Sequence, residues 1–197
     1  RRVLFRSLSN ISNVEHHALF KLAFATGMRR SELLGLRWSD IDFKKSTISI
    51  SQTALKIGST AVISNTTKTT SSKRIIAIDT ETLQELMKHK IVIDKRRIKT
   101  MNWINNNLVF PGVKGGPRCP DEVSKLCKKY ASLIGKPAFT MHCTRHTHAT
   151  LLIENGANMK AIQERLGHAS FQETMDTYSH VTPKMEDDIV ERISKIF

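Results

Sequence analysis

The chain has 197 residues, 40% hydrophobic and 25% charged, an ordinary globular composition with length for one sizeable core or two small ones. Lys and Arg number 31 against 18 Asp and Glu, and a formal charge of +13 recruits polyanions, nucleic acid first among them, although acidic proteins and membranes also attract basic chains. No apolar run approaches a membrane span. Three cysteines (Cys119, Cys127, Cys143) without a CxxC pair, and no secretory signal, favour a reducing, cytoplasmic setting. Arg1 in place of Met leads to the expectation of a fragment of something longer.

In chain order, apolar residues on a helical period (Leu19, Leu22, Ala23, Thr26) predict a helix over about 14–26, with Ser12 or Asn13 as its cap and Gly27 as its stop. "RSELLGLRW" reads as a short second helix, with Ser31 a possible cap. Between Ile41 and Ile78 the runs "STISISQ", "TAVISN" and "KRIIAI" alternate and are rich in β-branched residues. With Gly58 in one connection and the loop "NTTKTTSSK" in the next, they predict a three-stranded antiparallel sheet. Helix returns over about 80–99, and "LVFPGVKGGPRCP" is a loop. Further helices are predicted at about 121–133, 144–155, 159–166 and 171–178. After Pro183, a last segment over about 184–197 carries Met185, Ile189, Ile193 and Ile196 on one stripe. There is no internal repeat and no low-complexity tract. The order predicts an α+β fold: one mostly helical domain over 1–197 with a small three-stranded antiparallel sheet.

Four stretches carry candidate chemistry. In "ATGMRRSELLGLRWSDID", Gly27 lets the backbone turn and lifts Arg29 into a cleft, where Glu32 can pin the guanidinium or nearby backbone. A surface Arg at a helix–helix turn is the plainer reading. In "TKTTSSKR", Lys68 or Lys73 stands on a hairpin loop and can carry a proton to a reacting centre, or is simply solvated. "TRHTHATLL", with His142 just before it, fails as a zinc site: His146 and His148 are two apart and diverge on a helix, and no carboxylate stands at ligand spacing. His142 and Arg145 share a face at a helix N-terminus, which suits a phosphate; a His and Arg capping their own helix is the alternative. In "RLGHASFQETMDTYSHV", Gly167 ends a helix and delivers His168, and Tyr178 taken alone fits a half-buried aromatic.

Taken in order, TG-M-R with SELLGL, KT on a hairpin, H-x-x-R-H, LGH and a late Tyr resemble the tyrosine recombinase (phage integrase) family over roughly 12–182, most closely the integrases of phages and conjugative transposons. The resemblance implies that Arg29 and Arg145 clamp a scissile phosphate and that His142 and His168 hydrogen-bond it. It implies that Lys68 protonates the departing 5′-oxygen and that Tyr178 attacks phosphorus to leave a 3′-phosphotyrosyl link. Lys73 is a rival to Lys68. Cys143 and Thr144 stand where relatives often carry an acidic and an aliphatic residue. No metal, cofactor or nucleotide triphosphate is expected, because the phosphotyrosyl bond conserves the energy of the broken linkage.

The implied partners are double-stranded DNA attachment sites and three further copies in a homotetramer on DNA, with the free fragment monomeric or weakly associating. The segment over 184–197 is expected to dock on a neighbouring protomer rather than its own core. DNA binding is expected to be weak, since a core-DNA-binding domain usually precedes this one. Competing functions are a type IB topoisomerase and a regulator in which "MRRSELLGLRW" is part of a helix-turn-helix and Tyr178 is structural.

Overall fold

The structure is a computed structural model that describes residues 11–64 and 73–167. The predicted helix over 171–178, the segment over 184–197 and the residues Lys68, His168 and Tyr178 lie outside the described residues.

Helix α1 (Val14–Thr26) forms the centre of the molecule. Asn13, not Ser12, caps it, its side chain accepting from the His16 amide at 3.0 Å. Leu19, Leu22 and Ala23 are fully buried, because the helices over Thr80–Lys99 and Met141–Glu154 cover this one. Gly27 closes it at φ 64°, and a β-carbon there would stand 2.7 Å from the His148 ring, so backbone and space both require glycine.

Helix α2 (Arg30–Gly35) follows at once, and its cap is Arg29 rather than Ser31. Arg29 is the extended residue, and Glu32 returns to take its amide. The sheet is three-stranded and antiparallel, in the order β1 (Ile41–Asp42), β2 (Thr47–Ile50), β5 (Arg74–Ala77), with Ile48 opposite both Ile41 and Ile76. Its membership differs from the expectation. The "TAVIS" run forms β4 (Thr60–Ser64) and pairs with β3 (Thr53–Ile57) in a separate hairpin, where Leu55 faces Val62. A tight turn between adjacent runs closes at little entropic cost, so the local pairing wins.

Helix α3 (Thr80–Lys99) is capped by Asp79, which accepts from the Thr82 amide at 2.9 Å and its hydroxyl at 2.7 Å. It buries Leu83, Leu86, His89 and Ile93 and ends in Arg96, Arg97 and Lys99, the sign its dipole favours. Helix α4 (Pro120–Leu133) opens on a proline. Helix α5 (Met141–Glu154) starts three residues before the predicted 144, so His142 lies inside its first turn. Helix α6 (Met159–Leu166) is capped by Asn158 and ends at Gly167 with φ 66°. Phe110, Leu33, Leu34, Ile48, Ile76 and Leu86 belong to one core, and Ala149, Ile153, Ile162 and Leu166 form a satellite between α5 and α6. No helix among the described residues is long and apolar enough to cross a membrane.

Candidate active site

Arginines from three distant segments converge on the C-terminal end of α6. Arg74 Nε donates to the Arg165 carbonyl at 2.7 Å, Arg145 Nη2 to that of Leu166 at 2.9 Å, and Arg29 Nη2 to that of Gly167 at 3.2 Å. Three successive carbonyls thus each accept from a different guanidinium. A helix end leaves such carbonyls without intrahelical partners and carries partial negative charge, so it holds cations well.

One carboxylate, 4% exposed, balances part of that charge. Glu32 Oε1 accepts from Arg29 Nη1 at 3.0 Å and Arg74 Nη1 at 3.1 Å. Its Oε2 accepts from the Arg29 amide at 2.9 Å and Arg74 Nη2 at 2.8 Å. Burial pushes its pKa up, but the bonds and charges of Arg74 and Arg29 outweigh burial and hold it below the ordinary carboxylate value. Arg145 is buried, and its Nη1 also donates to the Gly27 carbonyl at 2.9 Å, which ties α5 to the turn that carries Arg29.

Arg165 locks this arrangement from below. Its Nη2 donates to the carbonyls of Ala25 and Ala77, each at 3.0 Å, and its Nε donates to His148 Nε2 at 3.0 Å. His148 Nδ1 donates to the Phe24 carbonyl at 2.8 Å, so the ring is neutral with Nε2 as acceptor. Burial, then the Arg165 charge, pushes its pKa down to about 4. His148 is therefore a packing histidine.

Above the arginines opens a cleft of about 720 Å³, lined by Arg29, Arg30, Lys56, Lys128, His142 and Arg145 among others. Lys56 on β3 pairs with Asp121 on α4 at 2.6 Å across it. His142 is exposed and meets His146 edge-on, ring centroids 4.4 Å apart. Of the predicted site residues, Arg29, His142 and Arg145 thus share one cleft, while Lys68, His168 and Tyr178 lie outside the described residues. Lys73 is exposed and is not part of the cleft lining. No metal-holding cluster occurs among the described residues.

Glu32 pins both the guanidinium and the amide of Arg29, as the sequence suggested. Arg74 went unrecognised, yet it shares the inward face of "RIIA" with the buried Ile76, two positions on, and an inward charge near a strand start needs a partner.

The sequence signature of the Phage integrase family matches residues 4–185. A tyrosine recombinase XerC-like protein of Caldanaerobacter subterraneus is 32% identical over 192 residues, covering 91% of this chain and 49% of that protein. The integrase of Staphylococcus phage L54a is 33% identical over 198 residues, covering 95% and 55%. The Tn1549 transposon integrase, solved in complex with transposon right end DNA, superimposes with a TM-score of 0.81 at 27% identity, covering 98% of this chain and 64% of that one. The chain therefore spans about half the length of the curated relatives it matches.

Proposed function

Because this chain belongs to the phage integrase family of tyrosine recombinases, we propose that it cuts and rejoins duplex DNA at attachment sites, integrating or excising a mobile element. The observation that carries the reading is the joint anchoring of Arg29 and Arg145 on one helix end, beside His142, in a basic cleft. A phosphodiester approaching five-coordination gathers negative charge on its non-bridging oxygens, and fixed guanidiniums stabilise that charge without reorganising.

Tyr178 is the nucleophile in this reading. A phenol is a poor nucleophile until its proton is taken, so it needs a base; His142 takes the proton as the phenolic oxygen bonds to phosphorus. The bond from phosphorus to the 5′-oxygen breaks, and Lys68 protonates that oxygen. His168 hydrogen-bonds the phosphate with the arginines. Attack by another 5′-hydroxyl reverses the step and releases Tyr178, so no external energy source enters. The working assembly is a homotetramer on DNA, acting in the cytoplasm, with the segment after Pro183 docked in trans; deleting that segment should abolish tetramers on DNA and leave cleavage by single protomers.

A nicked suicide duplex tests the chemistry. A protein–DNA adduct that depends on Tyr178 is expected, with Tyr178→Phe abolishing it and leaving DNA binding intact. Binding with no adduct from the parent chain would overturn the reading in favour of a regulator. Relaxation of supercoils without exchange between two sites would point instead to topoisomerase activity.

A further inference from the structure

We propose that Arg74 is a positioning residue for Arg29, acting through Glu32; the proposal rests on the strand-transfer reading above. Among the described residues, Arg74 reaches those assigned to the reaction by way of that carboxylate and the end of α6. Its guanidinium spans both Glu32 oxygens, Nη1 to Oε1 at 3.1 Å and Nη2 to Oε2 at 2.8 Å, with both side chains more than nine-tenths buried. This parallel pairing fixes the carboxylate plane in a way that a single-point cation cannot. Glu32 in turn offers one oxygen to the Arg29 guanidinium and the other to its amide.

Arg29 is the member of the set that needs such help. Its side chain is 38% exposed at the cleft, whereas Arg145 is 3% exposed and tied to two backbone carbonyls. A long, half-exposed arginine loses considerable side-chain entropy when it is held in one pose, so a rigid carboxylate behind it removes alternatives in advance.

The third bond of Arg74, from Nε to the Arg165 carbonyl, joins the same residue to the helix end that leads into His168. Arg74 also opens β5, the strand that follows the segment carrying Lys68. One side chain thus ties together the start of β5, the carboxylate behind Arg29 and the end of α6.

Single-turnover cleavage of the nicked suicide duplex at saturating DNA, with DNA affinity measured in parallel, tests this. Arg74→Lys keeps the charge but loses the parallel pair. It is expected to slow cleavage about tenfold to a hundredfold, less than the ~10²–10³ for losing a direct donor to the reacting centre. Its DNA affinity should stay within about threefold of the parent, since residues that only position a catalytic group act on the chemical step. In an Arg29→Lys background the same change should cost less than about threefold more, because the two residues act in series. Glu32→Gln, which keeps the shape, should show the same dependence on Arg29 if Arg74→Lys does not melt cooperatively. Cleavage by Arg74→Lys within about twofold of the parent, equal losses in rate and affinity, or losses that multiply with those of Arg29→Lys would overturn the positioning role. Lack of any Tyr178-dependent adduct from the parent chain would overturn the functional reading and this proposal with it.

Discussion

At the residue scale, His148 makes stability depend on pH through a group that does no chemistry. Its folded pKa of about 4 lies below the unfolded value of 6.5. Above about 6.5 the ring is neutral in both states and contributes nothing; as pH falls toward about 4 the unfolded chain takes up a proton that the folded one refuses, so stability is lost. The loss is on the order of 3 kcal/mol for a shift of this size. Thermal melts should show the unfolding temperature falling across that window, and His148→Gln should reduce the slope while lowering the starting value. His16 and His89, also shifted down chiefly by burial, keep some slope in the variant. Glu32 acts in a lower window. Its folded pKa lies below its unfolded value of 4.5, so its contribution is present above 4.5 and lost as pH falls further. Gly167 is a third sensitive position, because an added β-carbon would sit 2.9 Å from Arg74 Nη1 at a backbone φ of 66°. Gly167→Ala should cost about 1–3 kcal/mol and slow cleavage more than its melting temperature alone explains, since it presses on the arginine behind Glu32.

At the level of elements, cap chemistry carries much of the definition. Asp79→Ala removes two bonds at the start of α3 and should cost about 1 kcal/mol, seen as roughly 2–4 °C in the melting temperature of a chain this long. The same chemistry explains what was legible in the sequence. Val14–Thr26, Thr80–Lys99 and Met159–Leu166 run as predicted because Asn13, Asp79 and Asn158 precede apolar periods, and Gly27 and Gly167 close the first and last. The start of α5 was missed because "MHC" carries no apolar period, although Thr140 stood ready and Cys143 Sγ accepts its amide at 3.3 Å. The partner of "TAVIS" was not legible either, since alternation marks a strand and its faces but not its neighbour. In the site, the pinning of Arg29 by Glu32 is local, three residues apart, and could be read. The pairing of Glu32 with Arg74 and of Arg165 with His148 joins segments brought together only by folding, and charged side chains on strands and helix ends ordinarily read as solvated.

For the whole molecule, a charge of +13 with Arg30, Lys56 and Lys128 lining the cleft favours polyanions, and on the proposed reading the association with DNA should weaken steeply with salt. Lys128→Ala should lower affinity similarly on unrelated duplexes and reduce the slope of log K against log salt by about 1, measured by anisotropy titration over a salt series. Lys56→Ala should lower it less, because part of that charge already faces Asp121 at 2.6 Å. The separation of the β3–β4 hairpin from the three-stranded sheet has a further consequence. Residues 65–72, with Lys68 among them, run from the end of the hairpin to Arg74, which the buried carboxylate and the helix terminus hold in place. Lengthening a loop between two fixed ends generally costs a fold only about 0.6 kcal/mol per doubling, and on the proposed reading each inserted residue displaces Lys68 from the proton it delivers. Insertions here should therefore be silent in expression and thermal tolerance and severe in turnover, a spot where foldability and output are tuned independently.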